Sequence, residues 1–151
     1  MTTEVVTPKQ GKLKVNPRSA LVVDAAWVNS NAKKDGIKIL DARAPQFYSG
    51  AEVGRMPRGG HIPGAVNIPF SSLLEDSTNK FKSAAALREL FKSAGATPGT
   101  TVATYCHIGQ QASLLYFAAR YLGYNAHLYD GSFEEWSRKA ELPVETEVKK
   151  Q

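Results

Sequence analysis

An α/β fold with a parallel central sheet and helices on both faces is predicted by three observations on this 151-residue chain. Short apolar runs rich in Val, Ile and Leu alternate with helix-patterned segments from Ala20 to Lys139. The runs are nearly continuous rather than alternating, as expected of strands buried on both faces. The segments between them are long enough for helical crossovers, which parallel strands need and hairpins do not.

Residues 1–18 are polar, carry Pro8 and Pro17, and read as an arm; the domain is expected over 19–145, with a polar tail at 146–151. "ALVVD" is the first expected strand, and Asp24 N-caps a helix through "DAAWVNSNAKKDG" that Gly36 ends. "IKILDAR" is the second strand. The connection 44–63, rich in Gly, Pro and Arg, is of a length that usually carries function. "GAVNIPF" is the third strand and "SSLLED" a short helix. "SAAALRELFKSAG" is amphipathic, with Leu87, Leu90 and Phe91 on one face and Gly95 at its end. "TTVATYC" is the fourth strand, "QQASLLYFAARYLG" the next helix and "NAHLYDG" the last strand. "SFEEWSRK" closes the domain as a helix with Ser132 as N-cap and Glu135 completing a capping box. Trp27, Trp136, Tyr116 and Phe117 read as core packing.

Hydrophobic residues make up 42% and charged residues 22%, and no apolar run nears the roughly 20 residues of a membrane span. The N-terminal stretch lacks the apolar core of a secretory signal, so a cytoplasmic protein without a membrane partner is expected. The net charge of +5 is scattered, with no basic stripe interleaved with aromatics, which argues against nucleic acid as a partner. The single cysteine, Cys106, excludes an intramolecular disulfide and makes a poor metal site, so the thiol is structural or reactive.

Position decides between these. Cys106 ends the fourth strand, and "HIGQQ" turns the chain into a helix whose first amides have no intrahelical partner. Ligands of doubly wound sheets gather at this carboxyl edge. A helix N-terminus and a ring of free N–H groups stabilise a thiolate, and Gly109 permits the curl.

Three segments extend this reading: "LDARAPQFYSG" with "RGGHIPGAVNIPF", the loop "CHIGQQAS", and "LYDGSFEEW". Together they resemble the signatures of the rhodanese (sulfurtransferase) family over nearly all of Ala20 to Pro143. The resemblance implies a rhodanese-like domain in which Cys106 accepts a sulfane sulfur from a small anionic donor, thiosulfate or 3-mercaptopyruvate. A persulfide cradled by His107, Ile108, Gly109, Gln110, Gln111 and Ala112 then passes the sulfur to a thiophilic acceptor, cyanide or a thiol, without cofactor or metal. A phosphatase loop of similar shape needs an arginine six residues after its cysteine; Ala112 stands there.

The resemblance also puts Asp41 and Arg43 beside the active site as donor-binding residues, with a strand-end ion pair as the plain alternative. The family's second arginine falls at Phe47, so its anion clamp is incomplete here. Arg58, with Arg55 near it, is the candidate replacement, a solvated loop arginine being the alternative. His61 is read as shaping its turn rather than catalysing. His107 and Ile108 match neither donor subfamily; His107, when protonated, can draw an anion, with a solvent-facing histidine as the equal alternative. The ending resembles the C-terminal, catalytic half of tandem sulfurtransferases. A second rhodanese domain or a protein sulfur donor is thus an expected partner, and a sulfur-carrier module the alternative function.

Overall fold

The structure is a computed structural model; it describes residues 9–147 apart from 13 and 17, so part of the expected arm and the end of the tail lie outside the described residues. The sheet has four parallel strands in the order β2-β1-β3-β4: β1 Ile37–Asp41, β2 Val66–Asn67, β3 Thr101–Tyr105 and β4 Asn125–Leu128. Among the described residues, five α-helices accompany it: α1 Ala25–Asn31, α2 Pro45–Ser49, α3 Ala84–Ser93, α4 Gln110–Tyr121 and α5 Ser132–Arg138.

Alternation along the strands builds two cores. Leu40, Val102 and Cys106 point to the face covered by α3 and α4, where Leu87, Phe91, Leu115 and Ala118 are fully buried. Ile39, Ala103 and Tyr105 point to the other face, with Val28 of α1 and Phe133 and Trp136 of α5. A period of two on each strand, with helices on both sides, is what makes the strands read as continuous apolar runs.

The segment 20–24 is not a strand. It contributes one parallel bridge, Val22 to Leu128, because a 3-10 turn at Ser19–Leu21 precedes it and Asp24 already accepts from the Trp27 amide as N-cap of α1. The third strand shrinks to Val66–Asn67 between Pro63 and Pro69, and "SSLLED" becomes a 3-10 turn over Phe70–Leu73. Within 44–63 the chain forms α2, whose Pro45 at the first position and Gly50 with φ 86° after the last are ordinary start and stop signals.

Ser132 is not an N-cap. It is the first residue of α5 at φ 54°, fully buried, and its hydroxyl is used elsewhere, while Glu135 binds the Tyr129 hydroxyl and Lys139 instead of closing a box. Phe117 is not core either: it is 54% exposed on the outer side of α4, against Phe81 and Tyr121. At the C-terminal end the Glu147 amide donates to the Ser49 carbonyl, so the chain stays tied to the body through residue 147.

Candidate active site

Register places the site. With β1 and β3 paired in parallel up to Asp41 and Tyr105, the residues that follow them, Ala42 to Arg43 and Cys106 to Gly109, leave the same edge of the sheet. The Ala42 amide still donates to the Tyr105 carbonyl, which locks the two exits together.

The loop after β3 is held by α5. The amides of Phe133 and Glu134 donate to the carbonyls of Cys106 and His107, each at 2.9 Å. The Cys106 amide in turn donates to the Ser132 hydroxyl at 3.2 Å, and that hydroxyl donates to the Tyr129 carbonyl at 3.0 Å. In a trans peptide the N–H points opposite the C=O. Turning two consecutive carbonyls toward α5 therefore turns the His107 and Ile108 N–H groups away from it. Gly109 continues the curl at φ 86° and opens α4, whose first three amides lack intrahelical acceptors. Among the described residues, none of the N–H groups of residues 107–112 donates a hydrogen bond. On the far side, the Thr104 hydroxyl donates to the Ala112 carbonyl at 3.1 Å and pins the first turn of α4 to β3. The arrangement is a row of unpaired amides at a helix N-terminus, next to a cysteine that is only 1% exposed.

Space for a side chain is absent at the turn. A Cβ on Gly109 would sit 2.5 Å from an Asp130 carboxylate oxygen and 3.1 Å from the Asp130 carbonyl. The loop's Gln111 carries a buried side-chain oxygen that has no hydrogen-bond partner among the described residues.

Asp41 and Arg43 are both buried and paired. The Arg43 Nε donates to both Asp41 carboxylate oxygens at 3.0 Å, and Nη2 donates to Asp41 at 2.6 Å and to the Gly60 carbonyl at 2.7 Å. The guanidinium lies 4.1 Å from the centre of the Phe133 ring. Burial works against its charge, but the hydrogen bonds and charge of Asp41 outweigh it, and the net direction is upward, so Arg43 stays ionised. Burial, and after it the Asp41 charge, pushes the Tyr105 hydroxyl well above its ordinary value, keeping it protonated while it accepts from the Ile62 amide. The pair thus braces the 60–62 turn, β1 and the start of α5.

The structure does not bring Arg58 to the cysteine. Its guanidinium donates to four carbonyls, those of Trp136, Ser137, Lys139 and Leu142, at 2.8–3.0 Å. These lie at the C-terminal end of α5, about 10 Å along the helix from the end that holds the loop. Arg58 caps a helix, and as a donor-binding residue it is displaced by that role. His61 donates to the Tyr48 carbonyl through Nδ1, stacks on the Tyr48 ring, and exchanges backbone hydrogen bonds with Glu145.

His107 is half-buried, with its ring edge-on to Phe47 at 4.7 Å between centres. Burial, and after it the charge of Arg43, lowers its pKa from the ordinary 6.5, which favours the neutral imidazole at pH 7 over the anion-drawing alternative. Sequence reasoning missed Ser132, Phe133 and Asp130 as the shell that shapes the loop. Their only signal is the "YDGSF" run, which local pattern reads as a helix start because it cannot see that Cys106 lies opposite.

A family model described as a rhodanese-like domain matches residues 24–139. A putative thiosulfate sulfurtransferase of Haloferax volcanii is 40% identical over 119 residues, covering 73% of this chain and 41% of that protein. The sulfur carrier protein TtuD of Thermus thermophilus is 34% identical, covering 95% of this chain and 55% of that protein. A crystal structure of a probable thiosulfate sulfurtransferase superposes with a TM-score of 0.71 at 28% identity, over 95% of this chain and 56% of that one. A complex of EanB with ergothioneine linked to a persulfide gives 0.83 at 22% identity, over 96% and 36%, a likeness of fold alone. The chain spans about half the length, or less, of these relatives.

Proposed function

Because the chain belongs to the rhodanese-like family, we propose that it is a sulfurtransferase in which Cys106 takes up a sulfane sulfur, holds it as a persulfide and hands it to a thiophilic acceptor. The observation that carries the reading is the row of N–H groups from 107 to 112, unpaired among the described residues, beside the chain's only thiol. Several weak backbone donors suit the diffuse charge of a terminal persulfide sulfur, and preorganised donors stabilise it without reorganising.

With thiosulfate as donor, the Cys106 thiolate attacks the outer sulfur, the S–S bond breaks, and sulfite leaves with the electron pair. With 3-mercaptopyruvate, the C–S bond breaks and the released carbon takes the thiol proton to give pyruvate. Cyanide then attacks the outer persulfide sulfur, thiocyanate leaves, and the Cys106 thiolate returns. Charge and electrons balance at each step with the protein's own groups alone. In this scheme Ser132 and the α5 amides are positioning groups, because they hold the loop and not the donor.

A second reading, a carrier that receives sulfur from another protein, is favoured by one feature: Phe47 stands where the family pattern has a second arginine. The names of the relatives support sulfur transfer in both readings.

The test is a mass spectrum of the intact protein after incubation with each donor, on wild type and on Cys106→Ser. We expect a gain of one sulfur atom on the wild type, removed by cyanide, and none on the folded serine variant, since a hydroxyl forms no persulfide. Sulfur gain by the serine variant refutes the covalent role of Cys106.

A further inference from the structure

We propose that Phe47 sets the donor class of this site, selecting an alkyl persulfide, R–CH2–S–SH, over a free sulfur oxyanion such as thiosulfate. The inference rests on the Cys106 persulfide reading and names the chemistry that feeds it.

The loop has two layers. Its inner face is the row of free amides, which favours negative charge on a terminal sulfur. Its outer rim, beside the loop, is apolar. Phe47 seats its ring against His107, and Ile108, the next loop residue, is 57% exposed. On another flank of the Phe47 ring stands Gly54, where a Cβ would lie 3.3 Å from Cε1, so backbone rather than a polar side chain borders the ring.

Of the cations around this rim, Arg43 and Arg58 are committed elsewhere, and Arg55, which follows Gly54, is exposed to solvent, where its charge is screened. The Nε and Nη2 of Arg43 are spent on Asp41 and Gly60, and the residue is 1% exposed. Arg58 is committed to the far end of α5. The His107 imidazole is held neutral by burial and by the Arg43 charge. The sulfonate of thiosulfate, or the carboxylate of mercaptopyruvate, would have to shed water against Phe47 and Ile108 without a paired donor in exchange. An alkyl persulfide matches both layers: its sulfur end meets the amides and its carbon meets the aromatic and aliphatic rim.

The chemistry closes without a further reactant. The Cys106 thiolate attacks the outer sulfur of R–CH2–S–SH, a new S–S bond forms, the donor's S–S bond breaks, and R–CH2–S⁻ leaves with the pair while the proton stays on the transferred sulfur. The Cys106 sulfur rises by one oxidation level on entering the new S–S bond, the donor's inner sulfur falls by one level on leaving the old one, and the transferred sulfur is unchanged.

The experiment measures kcat/KM for sulfur loading of the full chain, by mass spectrometry, from three donors: thiosulfate, the persulfide of N-acetylcysteine methyl ester, and a cysteine desulfurase charged with cysteine. Wild type, Phe47→Arg, Phe47→Leu and Arg55→Ala are compared. We expect at least tenfold preference for a persulfide over thiosulfate in the wild type and in Phe47→Leu. Phe47→Arg should raise thiosulfate loading about fivefold at low salt, a gain that shrinks as the Debye length falls from about 10 Å at 0.1 M to about 3 Å at 1 M. Loading from the desulfurase alone, or from the small persulfide alone, assigns the source to a protein or to a free thiol, and either upholds the donor class.

Equal or better loading of wild type from thiosulfate overturns the inference, as does thiosulfate loading that is unchanged in Phe47→Arg at low salt. So does thiosulfate loading that collapses in Arg55→Ala, since Arg55 follows Gly54 at this rim, is exposed and has no ion pair among the described residues. If no donor places sulfur on Cys106, the sulfurtransferase reading itself fails, which separates the two conclusions.

Discussion

Gly109→Ala is the substitution that isolates the loop from the rest of the fold. At φ 86° an alanine enters the left-handed region, which costs roughly 1–2 kcal/mol. Its Cβ would also stand 2.5 Å from an Asp130 carboxylate oxygen and 3.1 Å from the Asp130 carbonyl. The exposed carboxylate can rotate away, but the carbonyl belongs to the backbone that leads into α5 and must yield by a few tenths of an ångström. The combined cost is about 2 kcal/mol, which lowers Tm by about 4–8 °C in a domain of this size. Out of a total stability of about 5–15 kcal/mol, that leaves the protein folded at 25 °C. The amides beside Gly109 move with it, and a displacement of about 1 Å at such a site costs about 100-fold in rate. Sulfur loading at 25 °C and thermal unfolding, measured on the same samples, should therefore separate: loading falls at least tenfold while the fold survives. Gly109→Ala/Asp130→Ala should recover part of the rate, because it removes the closer of the two encounters. Loading within twofold of wild type, at a Tm lowered as calculated, would refute the claim that these amides are the preorganised element.

Arg58→Ala should lower Tm by about 5–10 °C, since charged hydrogen bonds at about 1.5–3 kcal/mol each are lost from the C-terminal carbonyls of α5 and water replaces them only in part. At 25 °C its loading rate should stay within twofold of wild type, and a larger fall would return Arg58 to the donor site. Stability should decline on acidification below pH 6.5: the folded-state pKa of His107 is lowered, so between that pKa and 6.5 the unfolded chain binds more protons and stability rises with pH. Above 6.5 the contribution is constant. Thermal midpoints between pH 5 and 7.5 should show a shallower slope for His107→Gln than for wild type, and identical slopes would show that His107 does not titrate differently in the two states.

What the sequence alone could determine is what local and nearest-neighbour physics determines. Continuous apolar runs separated by crossover-length helices specified a parallel sheet, and Gly95 and the Leu87/Phe91 stripe specified α3 and its end. Cys106 at the end of a strand, a glycine three residues on and a helix next were enough to point at a helix N-terminus facing a thiol. The start and stop signals of α2, Pro45 and Gly50, were equally local, but a loop rich in Gly and Pro masked them.

The tertiary structure decided everything that depends on which distant groups meet. Arg43 and Arg58 are alike as residues; only the fold seals one against Asp41 and Phe133 and wraps the other in four carbonyls 78–84 residues away. Ser132 follows every local rule for an N-cap, yet the Cys106 amide, 26 residues distant, takes its hydroxyl, and the backbone accepts φ 54° in consequence. His107 is a free imidazole in sequence and a neutral one in the fold, because burial against Phe47 and the charge of Arg43 reach it only there. Hydrogen-bond partners and desolvation are long-range properties of the packed chain, and no pattern along the chain encodes them locally.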